Sequence, residues 1–198
     1  METGVTFEAI VLAAGAGVRF GGGKLLAPYQ GAPLLHAALA AARASPARSV
    51  RVVTGADAEG VGAAVRAFDP DLKLVHAADH AEGMAASLRA GVRSLPANTG
   101  AVFLFLGDMP RVPHAVLAPL AQAVRRGALA AAPEFEGKRG HPVVLARELF
   151  AKLEALSGDA GARSLLAGLG RSLTIVQAPD DGVLFDVDEP ADLTRLKP

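Results

Sequence analysis

The sequence predicts an α/β protein with three layers (α/β/α), in which helices cover both faces of a mainly parallel sheet. Short apolar runs alternate with longer amphipathic, Ala-rich segments along the first half of the chain. The runs are apolar on both faces, which is typical of parallel strands buried under helices. Such alternation indicates βαβ units and a doubly wound sheet.

The elements of the first half follow one another in regular order. We expect strands at Phe7–Ala13, Val50–Thr54, Leu72–Val75 and Val102–Gly107. Between and after them the apolar residues have helical spacing, which predicts helices at Leu34–Ala44, Ala56–Phe68, Met84–Ser94 and His114–Arg126. The first half therefore supplies the predicted core of the sheet.

The second half is less regular but predicts further strands and helices. We expect strands at Leu129–Pro133 and Pro142–Leu145, around a turn at Glu136–Gly140, and final strands at Leu173–Gln177 and Leu184–Val187. We expect helices at Arg147–Leu156 and Arg163–Leu169, and a closing helix with Pro190 in its first turn. No long linker or repeat divides the chain, so residues 1–198 are interpreted as one domain.

Composition narrows the classes of function. Lys plus Arg equals Asp plus Glu at 20 each, and a zero net charge argues against a general nucleic-acid binder. The chain has no Cys, which excludes disulfides, thiolate metal sites and Cys nucleophiles. Its longest apolar stretches, Ala9–Ala16 and Ala101–Leu106, are too short to span a bilayer. Because Met1–Glu8 lacks the pattern of a secretory signal, a cytoplasmic protein without a membrane partner is expected.

The most informative segment is a glycine-rich loop directly after the first predicted strand. It reads Leu12-Ala-Ala-Gly-Ala-Gly-Val-Arg-Phe-Gly-Gly-Gly-Lys24. Open α/β sheets bind ligands at such loops, and glycines let backbone amides approach phosphate. Arg19 and Lys24 add two cations to the same loop. These features predict a triphosphate site.

Two common phosphate-binding motifs do not fit this loop. In a P-loop, Ser or Thr follows Gly-Lys, but Leu25 follows Lys24, and Val18 stands where the first Gly belongs. The dinucleotide fingerprint G-x-G-x-x-G begins at Gly15 but meets Phe20 at its third Gly. A nicotinamide-dependent oxidoreductase is disfavoured on this ground.

The segment Leu-Ala-Ala-Gly-x-Gly-x-Arg-Phe-Gly, with Lys24 beyond it, resembles the signature of the MobA-like nucleotidyltransferases. The resemblance implies a Rossmann-like fold of the nucleotide-diphospho-sugar transferase type, in which this loop holds NTP phosphates that the Arg and Lys neutralise. The residues carried over to nucleotide binding are Leu12, Ala13, Ala14, Gly15, Gly17, Arg19 and Lys24. Ala14 is closer to the cytidylyltransferase branch (MocA-type) than to guanylyltransferases, which carry Gly there.

Acidic residues in two distant segments are candidates for a metal site. Asp108 follows the buried strand that ends at Gly107, where it faces the same crevice as the loop, and Mg²⁺ prefers carboxylates together with phosphate oxygens. Asp186 and Asp188 alternate along a predicted strand and so point to one face, whereas Asp192 is interpreted as a solvated first-turn residue. The family has a similar acidic ending that implies a second metal ligand. We favour Asp188, with Asp186 as the alternative.

Three further motifs resemble elements that border the active site in this family. Glu82–Leu88 opens a helix with Gly83 and Ser87, which are assigned to nucleotide binding. Gly-His141-Pro implies an acceptor contact for His141, although a lone His is more often structural. Asp159 and Arg163, in the element Gly158–Arg163, are assigned to acceptor binding. The remaining histidines, His36, His76, His80 and His114, have no metal-ligand spacing and receive no function.

Together these residues predict nucleotidyl transfer, in which an acceptor phosphate attacks the α-phosphorus of an NTP and pyrophosphate leaves. Lys24 and Arg19 would neutralise the β- and γ-phosphates, and Asp108 and Asp188 would hold Mg²⁺. The MocA-type resemblance implies CTP, molybdopterin cofactor and a molybdenum hydroxylase or its chaperone as partner. Transfer to a sugar phosphate or another metabolite, and a non-catalytic nucleotide-binding regulator, stay open as alternatives.

Overall fold

The computed structural model describes residues 4–159 and 161–194 of the chain. Its strands are β1 (Phe7–Ala13), β2 (Pro28–Tyr29), β3 (Ala32–Pro33), β4 (Val50–Thr54), β5 (Lys73–His76), β6 (Ala101–Leu106), β7 (Ala130–Phe135), β8 (Lys138–Arg139), β9 (Val143–Ala146) and β10 (Leu173–Gln177). Its helices are α1 (Leu35–Ala44), α2 (Ala58–Phe68), α3 (Met84–Arg93), α4 (Leu117–Arg125), α5 (Phe150–Glu154), α6 (Ala162–Ala167) and α7 (Pro190–Thr194). The expectations for Met1–Thr3 and Ala160 lie outside the described residues.

The main sheet has the strand order β10-β7-β9-β6-β1-β4-β5, with β8 paired to β7. Strands β5, β4, β1 and β6 are parallel, as the buried apolar runs predict. Strand β9 is antiparallel to both of its neighbours, and β10 is parallel to β7. The strands of the irregular second half thus extend the same mainly parallel sheet.

Helices cover both faces of the sheet, which confirms the three layers. Along β1, alternate side chains such as Phe7 and Val11 enter a core with α1, α2 and α4. Ile10 faces the opposite core, which is shared with α3, α5 and α6. Because both faces are packed, β6 is apolar throughout, and β1 and β4 are apolar apart from a few buried polar residues such as Glu8 and Arg51.

The predicted strand Leu184–Val187 is wrong. Asp181–Val183 forms a 3₁₀ turn, and residues 184–188 after it lie in neither a helix nor a strand. Strand β6, whose end this segment crosses, already has β1 and β9 as neighbours, so neither of its edges is free. Of the apolar residues that made the segment resemble a strand, Val187 is fully buried, whereas Leu184 and Phe185 are half-buried.

The other expected elements are present, with ends shifted by a few residues. The helices predicted to begin at His114 and Arg147 each begin with a 3₁₀ turn before the α-helix. The turn expected after β7 is a two-residue connection at Glu136-Gly137, followed by the short strand β8. Of the helices in the described ranges, none combines the length and the apolar character needed to cross a bilayer.

Candidate active site

The glycine-rich loop, residues 14–24, leaves the carboxyl end of β1 and folds back on itself. Gly17 has φ 61°, and its carbonyl accepts hydrogen bonds from the amides of Phe20 and Gly22 at 3.0 and 3.1 Å. A Cβ on Gly17 would lie 3.0 Å from the Cβ of Lys24. Glycine is therefore required here both by the backbone conformation and by the close packing that brings Lys24 back over the end of the strand.

The Lys24 ammonium lies between two carboxylates from distant parts of the sequence. Its Nζ donates to Asp108 Oδ2 at 2.7 Å and lies 3.6 Å from Asp188 Oδ1. Arg19 NH1 contacts Asp188 Oδ2 at 2.5 Å, although the Arg19 side chain is 75% exposed. The structure thus brings together the four charged residues that the sequence assigned to the phosphates and the metal.

Asp108, Asp186 and Asp188 form a carboxylate cluster at this point. One oxygen from each residue lies within 4.8 Å of the others. The Val187 amide donates to the Asp108 carbonyl at 3.0 Å, which ties the segment that carries Asp186 and Asp188 to the residue that follows β6 and Gly107. Asp186 and Asp188 share one face as expected, but this hydrogen bond, and not pairing in a strand, keeps them there.

Burial and repulsion within the cluster both act on the pKa of Asp186. Partial withdrawal of its carboxyl from water raises the pKa of Asp186, although the residue as a whole is exposed, and the negative charges of Asp108 and Asp188 raise this pKa further. The like-charge effect agrees with the short distances between the carboxylates. Asp186 makes no ion pair within the described ranges, unlike Asp108 and Asp188.

This donor set fits a hard divalent cation. Carboxylate oxygens from two chain segments converge, and a cation shared between them would relieve their repulsion. Asp192 is not a member of the cluster, and it is not simply solvated as expected. Its Oδ2 accepts from the amides of Asp188 and Glu189 at 3.0 and 2.9 Å, so it stabilises the turn that follows the cluster.

A first cavity of about 320 Å³ adjoins the cluster. Most of its lining comes from residues assigned to the site from sequence: Leu12, Ala14, Gly15, Gly83, Ser87, Asp108 and Asp159. Ala13 differs, because its side chain is buried in the core on the α1 side of the sheet. Ala13 can therefore reach a nucleotide only through its backbone.

Gly83 joins the start of α3 closely to the segment that carries Asp159. It has φ 114°, and a Cβ there would collide with the Gly158 carbonyl and with Asp159 Oδ1. The Ala85 amide also donates to the Gly158 carbonyl at 3.0 Å. Two motifs that are far apart in sequence therefore share one wall of the cavity. His80 and Met84, to which the sequence assigned no role, complete this wall.

His141 and Arg163 do not line the first cavity but two adjoining ones. His141 Nδ1 is buried and has no hydrogen-bond partner among the described residues. Burial lowers the pKa of His141, and this effect is opposed by the Leu104 carbonyl and the charge of Asp108. Burial thus disfavours the charged form of the ring, which agrees with a contact role for His141 and not with a cation that pairs with phosphate.

Comparison with known proteins gives one family and several relatives of full length. The sequence model of a family described as MobA-like NTP transferase domain matches residues 9–174. Nicotine blue oxidoreductase from Paenarthrobacter nicotinovorans is 32% identical over 195 residues, covering 94% of each chain. Molybdenum cofactor cytidylyltransferase from Escherichia coli K12 is 25% identical over 191 residues, covering 96% of this chain and 95% of that protein.

Solved structures with the same fold include Rv0371c from Mycobacterium tuberculosis H37Rv. It superposes with a TM-score of 0.85 at 29% identity, covering 98% of each chain. A complex of Rv0371c with manganese superposes with a TM-score of 0.80 at 28% identity, covering 96% of this chain and 97% of that one. The α/β nucleotidyltransferase architecture predicted from sequence is confirmed by these superpositions.

Proposed function

The chain belongs to the MobA-like NTP transferase domain family, and from this premise we propose that it transfers a nucleoside monophosphate from an NTP to a phosphorylated acceptor and releases pyrophosphate. The observation that carries the proposal is the convergence of Lys24 with Asp108 and Asp188, which come from three separate segments. Such a site offers cations for phosphates and carboxylates for a metal side by side.

The charged residues have distinct tasks in this reaction. Lys24 and Arg19 neutralise the β- and γ-phosphates, so that pyrophosphate becomes a better leaving group. Asp108 and Asp188, with Asp186 as the alternative, are the residues that would hold Mg²⁺. A divalent cation at these carboxylates supplies charge that stabilises a phosphoryl oxygen. The manganese complex of Rv0371c supports a divalent metal in this fold.

No strong base is needed in this site. The acceptor phosphate is already ionised at neutral pH, so catalysis rests on positioning and on charge neutralisation. Burial lowers the pKa of His141, and an ionised phosphate carries no proton that the ring would need to remove. The neutral ring is suited to contact the acceptor, together with Asp159 and Arg163.

We assign CTP as the nucleotide and molybdopterin cofactor as the acceptor. The assignment is supported by Ala14 in the loop and by the likeness to molybdenum cofactor cytidylyltransferase over nearly the whole chain. A sugar phosphate is the alternative acceptor in the same class. A molybdenum hydroxylase or its chaperone is the partner that this assignment implies, and the cytoplasm is the compartment.

Base preference tests this assignment. Ala14 lines the first cavity and is also packed into the core on the α3 side of the sheet, so Gly at this position would remove a methyl group from the packing behind the cavity. We expect kcat/KM for CTP to exceed that for GTP, and Ala14→Gly to narrow the ratio about tenfold, since one methyl group in a pocket is worth about ten- to two-hundredfold. Pyrophosphate release measures the ratio of kcat/KM for CTP to that for GTP, in the wild type and in Ala14→Gly. The acceptors tested are molybdopterin and a panel of sugar phosphates. Ala16→Gly, in the same loop but outside the first cavity, is the control. A preference for GTP in the wild type would refute the cytidylyl assignment.

An oxidoreductase is the second candidate. The 32% identical relative that aligns over 94% of each chain bears that name, so the interrupted dinucleotide fingerprint does not exclude this class. Hydride transfer, however, does not require a cluster of three carboxylates with a lysine. Oxidation of NADH or NADPH by an added acceptor, without any consumption of NTP, would favour this candidate. A non-catalytic regulator would bind nucleotide and do neither.

A further inference from the structure

A basic cavity of about 590 Å³ lies beyond the first cavity, beside the β7–β8 hairpin. Lys138 and Arg139 line it from the hairpin, and Arg163 lines it from α6. No Asp or Glu of the described ranges is in its lining. Because acidic and basic residues are equal in number over the whole chain, three cations around one cavity are a local excess of positive charge.

The three cations have no carboxylate partner in the part of the chain that the structure describes. None of them forms an ion pair within residues 4–159 and 161–194. Glu134 lies opposite Arg139 in the hairpin, but its carboxylate accepts a hydrogen bond from Gln177 at 3.3 Å. These charges are therefore available to an anion from solution.

The hairpin presents its cations from a defined position. Glu136 and Gly137 have φ of 48° and 76°, which is the conformation of a tight two-residue hairpin turn. Behind the hairpin, the His141 amide donates to the Val183 carbonyl at 2.8 Å. This bond joins the hairpin to the segment that carries the carboxylate cluster. The cations are thus tied to the catalytic end of the sheet instead of lying on a free loop.

A connecting cavity of about 230 Å³ links the first cavity to the basic one. It shares Leu12, Met84, Leu106 and Asp159 with the first cavity, and His141 and Arg163 with the basic cavity. Its lining is mostly apolar, and Met84 is 44% exposed although it is a large hydrophobic residue. His141, whose buried Nδ1 has no hydrogen-bond partner among the described residues, lines both the connecting cavity and the basic cavity.

We propose that Lys138, Arg139 and Arg163 form a second anion-binding subsite, which holds the end of the acceptor remote from the phosphate that reacts. The inference rests on the proposed function for the identity of the ligand as the acceptor. The acceptor class is then an elongated molecule with a phosphate at one end, an apolar or flat middle and a second anionic group at the other end. An acceptor with a single anionic group would leave the three cations unused.

Anion titration tests the subsite without turnover. Inorganic phosphate and, separately, acetate are titrated into the ¹⁵N-labelled full chain while the amides of 137–141 and the Arg139 and Arg163 Nε–H signals are followed. We expect saturable chemical-shift changes at the hairpin. Comparing the affinity for acetate with the affinity for phosphate distinguishes a carboxylate site from a phosphate site. The double variant Lys138→Gln/Arg139→Gln should weaken this binding at least about tenfold, since two charge-assisted contacts are lost. Lys152→Gln, an exposed lysine outside the three cavities, should leave binding unchanged.

The outcomes separate this inference from the proposed function. Hairpin shifts that saturate in wild type and weaken in the double variant support the subsite, even where no nucleotidyl transfer is found. With an active acceptor, the double variant should raise the acceptor KM about tenfold or more and leave the nucleotide KM unchanged. Absence of saturable hairpin shifts with both anions, or equal shifts in the double variant, would overturn the subsite whether or not transfer occurs.

Discussion

Asn in place of Asp108 is expected to lower nucleotidyl transfer roughly a thousandfold, because the charge stabilisation from a metal is worth several kcal/mol and about 1.4 kcal/mol corresponds to a factor of ten. The fold should be unaffected, since the carboxylate lies at the edge of a cavity and Asn has the same shape. Mn²⁺ binding, measured by electron paramagnetic resonance, should weaken in parallel. Turnover measured across a metal titration gives the second readout.

The other members of the cluster are compared with Asp108 in the same titration. Turnover should also fall by orders of magnitude in Asp188→Asn. The double variant should be only slightly less active than the less active single variant, because ligands of one ion act as a unit. Asp71→Asn, an exposed site far from the cluster, serves as the control for the substitution. If Asp188→Asn keeps the turnover of the wild type while Asp186→Asn loses it, Asp186 is identified as the ligand. Full activity in all three single variants would contradict the metal site.

Ala in place of Glu8 is expected to lower the free energy of unfolding by about 3–5 kcal/mol, because it leaves a charge buried and unpaired. The Glu8 and Arg51 side chains are only 2% and 6% exposed. Glu8 accepts from Arg48 at 2.8 Å, from Ser49 at 2.5 Å and from Arg51 at 3.2 Å. Urea denaturation followed by circular dichroism measures the loss.

A surface ion pair and a paired replacement serve as controls for Glu8. Glu154 contacts Arg93 at 3.0 Å with both side chains exposed, so Glu154→Ala should cost less than about 1 kcal/mol. Replacing both buried partners, as in Glu8→Leu/Arg51→Met, should recover much of the stability, because the charge then left without its partner is Arg48, whose side chain is 44% exposed. Equal decreases in the free energy of unfolding for Glu8→Ala and Glu154→Ala would show that burial of the Glu8 network contributes little to stability.

The fold could be predicted from the sequence because its central strands, β1, β4 and β6, are buried on both faces. Such strands are mostly apolar runs. Strands β1 and β4 have the predicted ends, and so does the more exposed edge strand β10. Glu8 was not singled out, because its partners Arg48 and Arg51 come from the next strand region and a buried ion pair leaves no local pattern. The strand expected at Leu184–Val187 failed for a similar reason: whether an apolar segment pairs depends on which sheet edges are free.

The candidate site was predictable where motifs are short and continuous. The glycine-rich loop and Asp108 follow adjacent parallel strands, so topology alone brings them together. The positions of Asp186 and Asp188 depend on tertiary contacts that no residue pattern indicates, such as the hydrogen bond from the Val187 amide to the Asp108 carbonyl and the ion pairs of Asp188. Lys138 and Arg139 are ordinary hairpin cations in the sequence. Only the tertiary structure sets them across a cavity from Arg163.

The fate of radioactive label in the nucleotide tests the central claim most directly. CTP labelled at the α-phosphate and CTP labelled at the γ-phosphate are incubated separately with the protein, Mg²⁺ and each acceptor of the panel. Nucleotidyl transfer predicts that α-label enters a new acceptor product, while γ-label appears in pyrophosphate in equal amount. Entry of γ-label into the acceptor, or intact CTP alongside oxidation of a reduced nicotinamide, would contradict the account.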